Sequence, residues 1–143
     1  MSLLVKKDFD AKTLLASAAQ TATSTGETAI RLPGMVNAFA FTLDITVDES
    51  TAADLLDVFI QTKADGSKWT DVVHFTQNAG DDGAKRYVEK VAASPAFAGF
   101  EVGSALAAGE VRDLIGDEWR VRFTVNDDSG SASFTFSVTA CPM

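Results

Sequence analysis

The sequence predicts an all-β protein: an antiparallel β-sandwich, jelly-roll-like, with seven or eight strands. Apolar and polar residues alternate over 39–47, 119–125 and 134–139. This period of two is typical of strands with one buried face and one wet face. Short stretches of turn-forming residues separate the patterned segments at the spacing of hairpins. Phe, Val, Ile and Thr pack well on a pleated sheet, and the apolar fraction of 46% is enough to supply a core.

The N-terminal residues are the least periodic part of the chain. We expect residues 1–20 to form either an arm that binds a neighbouring subunit or the first strand, which would then run over 13–19. Residues 21–26 are rich in Thr, Ser and Gly and predict a flexible connection. The remainder, 21–143, is expected to be a single β-sandwich domain, since a chain of this length buries roughly 70% of its unfolded surface as one unit.

The middle and end of the chain contain the clearest strand signals. The pair Asp65-Gly66 predicts a tight hairpin, because Gly tolerates the positive backbone dihedrals of such a turn. Neither period dominates over 96–109, which is therefore either a short helix or a long corner between sheets. The predicted strands run over 38–47, 55–62, 69–76 and 85–91, with an edge strand over 111–115 and a last hairpin formed by 119–125 and 134–139.

The apolar phase of these strands predicts the core. Its members are expected to be fully buried side chains that face one another between two sheets. They are Phe41, Leu43, Ile45, Val58, Ile60, Val73, Phe75, Val121, Phe123, Phe134, Phe136 and Val138.

The charge balance argues against partners that are polyanions. Twelve basic and twenty acidic residues give a formal net charge of −8, so we expect no nucleic acid and no membrane among the partners. Short basic clusters at 6–7, 85–86 and 120–122 are either ordinary solvated side chains or contacts to an acidic protein partner. A single cysteine, Cys141, is compatible with a reducing compartment. Neither a signal peptide nor an apolar run of about 20 residues occurs, so a soluble protein is expected.

The sequence contains few residues suited to catalysis or metal binding. His74 is the only histidine. Because it alternates with Trp69, Val73 and Phe75, we expect it to be a surface or interface residue facing away from the wall that they fill. No nucleophile turn of the form G-x-S-x-G occurs, and one His with one Cys cannot complete a zinc site. We expect no enzyme activity, no cofactor and no metal site, although calcium at the acidic loops 81–82 and 126–129 stays an open alternative.

A carbohydrate-binding module is an alternative function from a different class. Trp69, Tyr87 and Trp119 are the candidate stacking platforms. Sugar stacking requires exposed aromatic rings, whereas Trp119 and Trp69 are both in phase with core residues. The pattern therefore disfavours this alternative.

Several strand-and-turn segments together resemble small β-sandwich virion proteins of tailed bacteriophages. The similarity covers most of the chain except 78–118, and it consists of patterns without a chemical signature. The segments are Leu14-Leu15-Ala16-Ser17-Ala18-Ala19, Phe41-Thr42-Leu43-Asp44-Ile45-Thr46, Leu56-Asp57-Val58-Phe59-Ile60-Gln61-Thr62, Asp65-Gly66-Ser67-Lys68-Trp69-Thr70-Asp71-Val72-Val73-His74-Phe75, Trp119-Arg120-Val121-Arg122-Phe123 and Ser133-Phe134-Thr135-Phe136-Ser137-Val138-Thr139-Ala140.

The resemblance implies a capsid decoration, or cement, protein. Such a protein is made in the bacterial host cytoplasm, lies on the capsid surface, binds across subunits of the major capsid protein and is often a trimer. A head-completion or tail component of the virion is the neighbouring alternative. The candidate partner-binding residues are apolar side chains of the N-terminal arm and of the Ala-rich stretch 92–108: Leu3, Leu4, Val5, Phe9, Leu14, Phe97 and Phe100.

Overall fold

Strands account for all of the regular secondary structure in the part of the chain that the structure describes. The structure is a computed structural model, and it describes residues 10–32, 36–48, 51–94 and 99–143. Within these ranges it contains no helix that could cross a membrane. The strands are β1 (Lys12–Gln20), β2 (Ile30–Arg31), β3 (Ala38–Asp48), β4 (Leu55–Lys63), β5 (Trp69–His74), β6 (Asn78–Ala79), β7 (Lys85–Ala92), β8 (Glu118–Asn126) and β9 (Phe134–Pro142).

The strands form two antiparallel sheets that pack face to face. One sheet has the order β1-β9-β3-β7 and the other has the order β2-β8-β4-β5, with β6 paired to β4. When the two-residue β6 is set aside, the pairs β1·β9, β2·β8, β3·β7 and β4·β5 are nested as in one long folded hairpin. This is the topology of a jelly roll. The predicted fold class is confirmed. The described residues form nine strands instead of seven or eight, because β2 and β6, of two residues each, are too short to show alternation.

The core lies between the two sheets and contains every residue predicted for it. Each of the twelve predicted side chains is at most 1% exposed. Trp119 adds the largest buried side chain, and its ring centroid lies 5.4 Å from that of Phe39 and 5.2 Å from that of Phe41. Its indole N–H donates to the carbonyl oxygen of Gly116 at 3.0 Å, so the buried polar atom is satisfied. Trp119 is thus a core residue, as its phase predicted.

The predicted last hairpin does not form. β8 pairs with β2 and β4, whereas β9 pairs with β1 and β3 in the opposite sheet. The two strands face each other across the core, where the rings of Phe123 and Phe136 meet edge to face with centroids 5.3 Å apart. The prediction was wrong because alternation determines which face of a strand is buried but not which strand lies beside it.

Asp54 forms hydrogen bonds to the corner at which the chain crosses from β8 to β9. Its buried carboxylate accepts the backbone N–H groups of Asp128 and Ser129, each at 2.9 Å, and the Ser129 hydroxyl at 2.7 Å. It also accepts the N–H of Thr51 at 3.1 Å. Burial raises the pKa of Asp54, but the hydrogen bonds from Ser129, Thr51 and Asp128 outweigh this and lower it from 3.8 to about 2.

The irregular segment before β8 covers the outer edge of β5. His74 N–H donates to Glu110 at 3.0 Å, Gly109 N–H to His74 at 2.7 Å and Arg112 N–H to Val72 at 2.8 Å, each to a carbonyl oxygen. The predicted edge strand over 111–115 is reduced to a single bridge between Val73 and Val111. Of the two alternatives for this region, the described residues 99–109 form an irregular corner without a helix.

Candidate functional site

The outer face of the five-stranded sheet carries a connected set of charged and aromatic side chains. Cross-strand pairing brings them together: Gln61 lies opposite both Arg120 and Asp71, and Phe59 opposite both Arg122 and His74. We call this set the β4–β5–β8 face. Its members are Asp57, Phe59, Gln61 and Lys63 on β4, Trp69, Asp71 and His74 on β5, and Glu118, Arg120 and Arg122 on β8.

A β-bulge places Trp69 and His74 on the same face. The register of β4 with β5 shifts where Ile60 pairs with Val73 and Gln61 with Asp71, which leaves Val72 as an extra residue. Val72 and Val73 are both fully buried. Trp69 is therefore half-buried on the outer face, and the prediction that it belongs to the core wall was wrong because the bulge inverts the alternation.

His74 faces away from the core, as predicted, but it is not a surface residue. Only 8% of it is exposed, because its ring stacks on Phe59 at 3.9 Å and lies under the 104–112 segment. Nδ1 lies 2.7 Å from the carbonyl oxygen of Leu106, and Nε2 lies 2.8 Å from Oδ1 of Asp57. A second donor, Nε2 of Gln77, binds Oδ2 of Asp57 at 2.8 Å. His74 thus ties the covering segment to the sheet.

Arg122 forms a two-pronged ion pair with Asp71. Its Nε lies 2.8 Å from Oδ1 and its Nη2 lies 2.6 Å from Oδ2, and its guanidinium lies 3.5 Å from the centroid of the Phe59 ring. Gln61 Nε2 donates to the same Oδ1 at 2.9 Å. The bidentate geometry makes this pair both stronger and more specific in orientation than a single hydrogen bond.

Arg120, its immediate neighbour on this face, is held differently. Its Nε donates to Oε1 of Gln61 at 2.8 Å, and its guanidinium lies over the Trp69 ring at 4.4 Å from the centroid. Burial and then the charge of Arg122 lower the pKa of Arg120, while Asp71 raises it in part. Within the described residues, no carboxylate forms an ion pair with Arg120.

Lys63 lies over the same indole ring, with Nζ 5.0 Å from the centroid. Unlike Arg120 it has a carboxylate partner, Glu118, at 3.5 Å. Glu118 in turn binds Arg31 at 3.0 Å. We call Lys63, Trp69, Arg120 and Gln61 the arginine–tryptophan cluster.

None of the residues predicted to bind a partner is a member of the β4–β5–β8 face. Leu3, Leu4, Val5, Phe9 and Phe97 lie outside the described residues. Leu14 is only 6% exposed and belongs to the core, because β1 continues the four-stranded sheet through its pairing with β9; it is unavailable as a binding residue. Phe100 is half-buried and lies under the guanidinium of Arg112, at 4.3 Å from its ring centroid.

Tyr87, a candidate for sugar stacking, and Asp127, in a candidate calcium loop, form hydrogen bonds within the protein. Tyr87 is half-buried on β7 and donates its hydroxyl to Oδ1 of Asn78 at 3.3 Å. Asp127 in the acidic corner accepts the N–H groups of Gly130 at 2.8 Å and Ala132 at 3.0 Å. In the described part of the chain, no three His, Cys, Asp or Glu side chains are grouped so as to hold a metal ion.

Sequence reasoning missed the roles of Gln61, Asp71 and Arg120. The basic cluster at 120–122 was the available signal, since its two arginines share the polar phase of β8. Alternation predicted that both arginines point away from the core, but it did not predict which residues of the adjacent strands they contact. Comparisons with protein-family models, with curated proteins and with solved structures find no match to this chain.

Proposed function

We propose that the protein is a virion structural protein of a tailed bacteriophage, which decorates the capsid by binding across subunits of the major capsid protein. The resemblance of its strand-and-turn segments supports this role. The jelly-roll topology also supports it, because viral capsid domains use this architecture, as lectin domains do. Since one fold hosts many functions, the proposal depends on the surface that the fold presents.

The β4–β5–β8 face is the observation that carries the proposal. It presents Arg120 and Trp69, and both residue types are among the three that are enriched among interface hot spots. Their side chains are already fixed by the Gln61 hydrogen bond and by the contact of guanidinium with indole. Binding through pre-ordered side chains loses less conformational entropy than binding through mobile ones.

Self-association into a trimer is part of the same proposal. The four-stranded sheet ends at β1 and at β7, and an edge strand presents unpaired backbone groups that another chain can extend. Val88 lies in the middle of β7 with 60% of its surface exposed. An exposed apolar side chain on the last strand of a sheet is suited to contact with a neighbouring copy.

The test is co-sedimentation with capsids assembled from the major capsid protein that the same genome encodes. We expect the purified protein to pellet with them saturably, at a fixed number of copies per capsid. Particles that pellet under the same conditions but contain no capsid protein serve as the control for trapping. Failure to bind intact capsids over the micromolar range would reject the decoration role.

A carbohydrate-binding function is the second candidate, and one observation favours it. Trp69 lies on the outer face of a sheet instead of in the core, so one objection drawn from the sequence no longer applies. Binding to a glycan array, lost on Trp69→Ala and kept in the wild type, would support this alternative over the virion role.

A further inference from the structure

Arg120 is held by one hydrogen bond and one ring contact, and its hydrogen-bonding capacity is only partly used. Gln61 occupies Nε alone, and the described residues provide no further hydrogen-bond partner for this guanidinium. A guanidinium has five N–H donors in a planar fork, and because Gln61 occupies Nε, the two Nη groups of Arg120 are the donors left for a carboxylate. Arg122 provides the contrast, because Asp71 already occupies two of its nitrogens.

The ion pairs around Arg120 do not include it. They join the cations Arg31, Lys63 and Arg122 to three carboxylates, those of Asp71, Asp117 and Glu118. Among the described residues, Arg120 is a further cation beside them that forms none of these ion pairs. The chain has a formal net charge of −8, but beyond about 10 Å salt screens the remaining charges.

Gly26 holds the guanidinium from the other side. A methyl group built at Gly26 would collide with the Cζ and Nη1 atoms of Arg120. The N–H of Glu27 and the N–H of Ser24 both donate to β8, at 2.8 Å to Val121 and 2.9 Å to Phe123. The 24–27 segment is thus fixed against β8, and the absence of a side chain at Gly26 leaves space for Arg120.

From this geometry we propose that the arginine–tryptophan cluster is the point at which the protein binds an acidic side chain, Asp or Glu, of its partner protein. The carboxylate binds the Nη groups of Arg120, whose guanidinium lies over the Trp69 ring, as the ammonium of Lys63 also does. An acidic protein group fits better than an acidic sugar, because two cations already lie over the ring on which a sugar would stack. The identity of the partner rests on the proposed function, whereas the carboxylate site does not.

The experiment is an NMR titration of the full chain with a hexaglutamate peptide, with hexaglutamine as the uncharged probe. The protein has two tryptophans, so the indole N–H of Trp69 reports on the cluster. The indole N–H of Trp119, buried and bonded to Gly116, is the internal reference. We expect saturable shifts of the Trp69 indole and Arg120 Nε signals with hexaglutamate, none at Trp119, and none with hexaglutamine.

Four variants separate the site from general electrostatics. Arg120→Gln removes the fork and should weaken hexaglutamate binding about tenfold or more. Arg120→Lys keeps the charge but not the fork and should lose part of the affinity. Gly26→Ala keeps every charge and displaces the guanidinium, so it should also weaken binding. Arg86→Gln is the matched control, since Arg86 is an exposed arginine on the opposite sheet, paired with Asp44, and should leave affinity unchanged.

The possible outcomes each decide the proposal. Equal affinity of Arg120→Gln and wild type, or equal loss in Arg86→Gln, would overturn it, provided that both variants keep the wild-type unfolding midpoint. Tighter binding of hexagalacturonate than of hexaglutamate would overturn the assignment to a protein side chain. If hexaglutamate fails to bind while the protein still co-sediments with capsids, this inference fails and the decoration role stands. If hexaglutamate binds but the protein does not co-sediment with capsids, the carboxylate site stands and the decoration role fails.

Discussion

Replacing Phe123 with Ala should lower the free energy of unfolding by about 3–5 kcal/mol, the cost of a large-to-small change at a buried aromatic. Phe123 is 1% exposed and lies on β8 at the centre of the interface between the two sheets. Its edge-to-face contact with Phe136 contributes about 0.5–1.5 kcal/mol of that loss, beyond the area that both rings bury. The rigid sheets on both sides cannot close fully over the cavity, so we expect a value in the upper half of the range.

The effect is measurable by urea unfolding followed by circular dichroism. In thermal unfolding, a loss of this size corresponds to a fall in the midpoint of about 10–17 °C for a chain of this length. In urea the midpoint should fall while the slope stays unchanged, because the surface exposed on unfolding is nearly the same. Thr124→Ala is the matched control: Thr124 is the next residue on β8 and points to the outer face, so its replacement should cost less than about 1 kcal/mol.

A Phe123→Ala protein that loses less than about 1 kcal/mol would refute the reasoning. It would mean that Phe123 does not lie in a well-packed core and that the two sheets do not face each other as described. A circular dichroism spectrum dominated by helix would reject the fold itself.

Three further predictions concern other parts of the molecule. Because the pKa of Asp54 is lowered in the folded state to about 2, its contribution to stability is complete above about pH 4 and is lost as the pH falls towards 2; Asp54→Asn should flatten the fall of the urea midpoint over that interval, and an unchanged slope would contradict it. Gly116→Ala should lower the free energy of unfolding by about 1–3 kcal/mol, because its Cβ would collide with Oγ1 of Thr62, whereas Gly99→Ala, whose Cβ would meet no atom of the described residues within 4 Å, should stay within about 0.5 kcal/mol. Light scattering should return three times the chain mass of 15.1 kDa, and a value equal to one chain at all concentrations would reject the trimer.

Local alternation was sufficient to predict the class of the fold and twelve members of its core. The phase of Phe41, Val121 and Phe136 follows from the period of two, because successive side chains of a strand point to opposite faces whatever its neighbours are. Trp119 was placed correctly for the same reason. A property that depends on one strand alone can be read from that strand alone.

Which strands are neighbours in a sheet, and where a bulge interrupts the alternation, were decided by the tertiary structure. Alternation is the same whether β8 and β9 are neighbours in one sheet or face each other across the core, so the sequence predicted a hairpin where the chain changes sheets. The bulge at Val72 inverted the phase of Trp69, since one extra residue exchanges the two faces of a strand.

The candidate binding site combines both kinds of information. The polar phase of β8 predicted that Arg120 points outwards, a local property of the strand. The partners of the two arginines depend on the register of three strands. This register pairs Asp71 with Arg122. It places Arg120 against Gln61 and Trp69. Register is set by contacts between residues that are distant in the chain, and for that reason only the folded molecule reveals which of the two arginines is paired with a carboxylate.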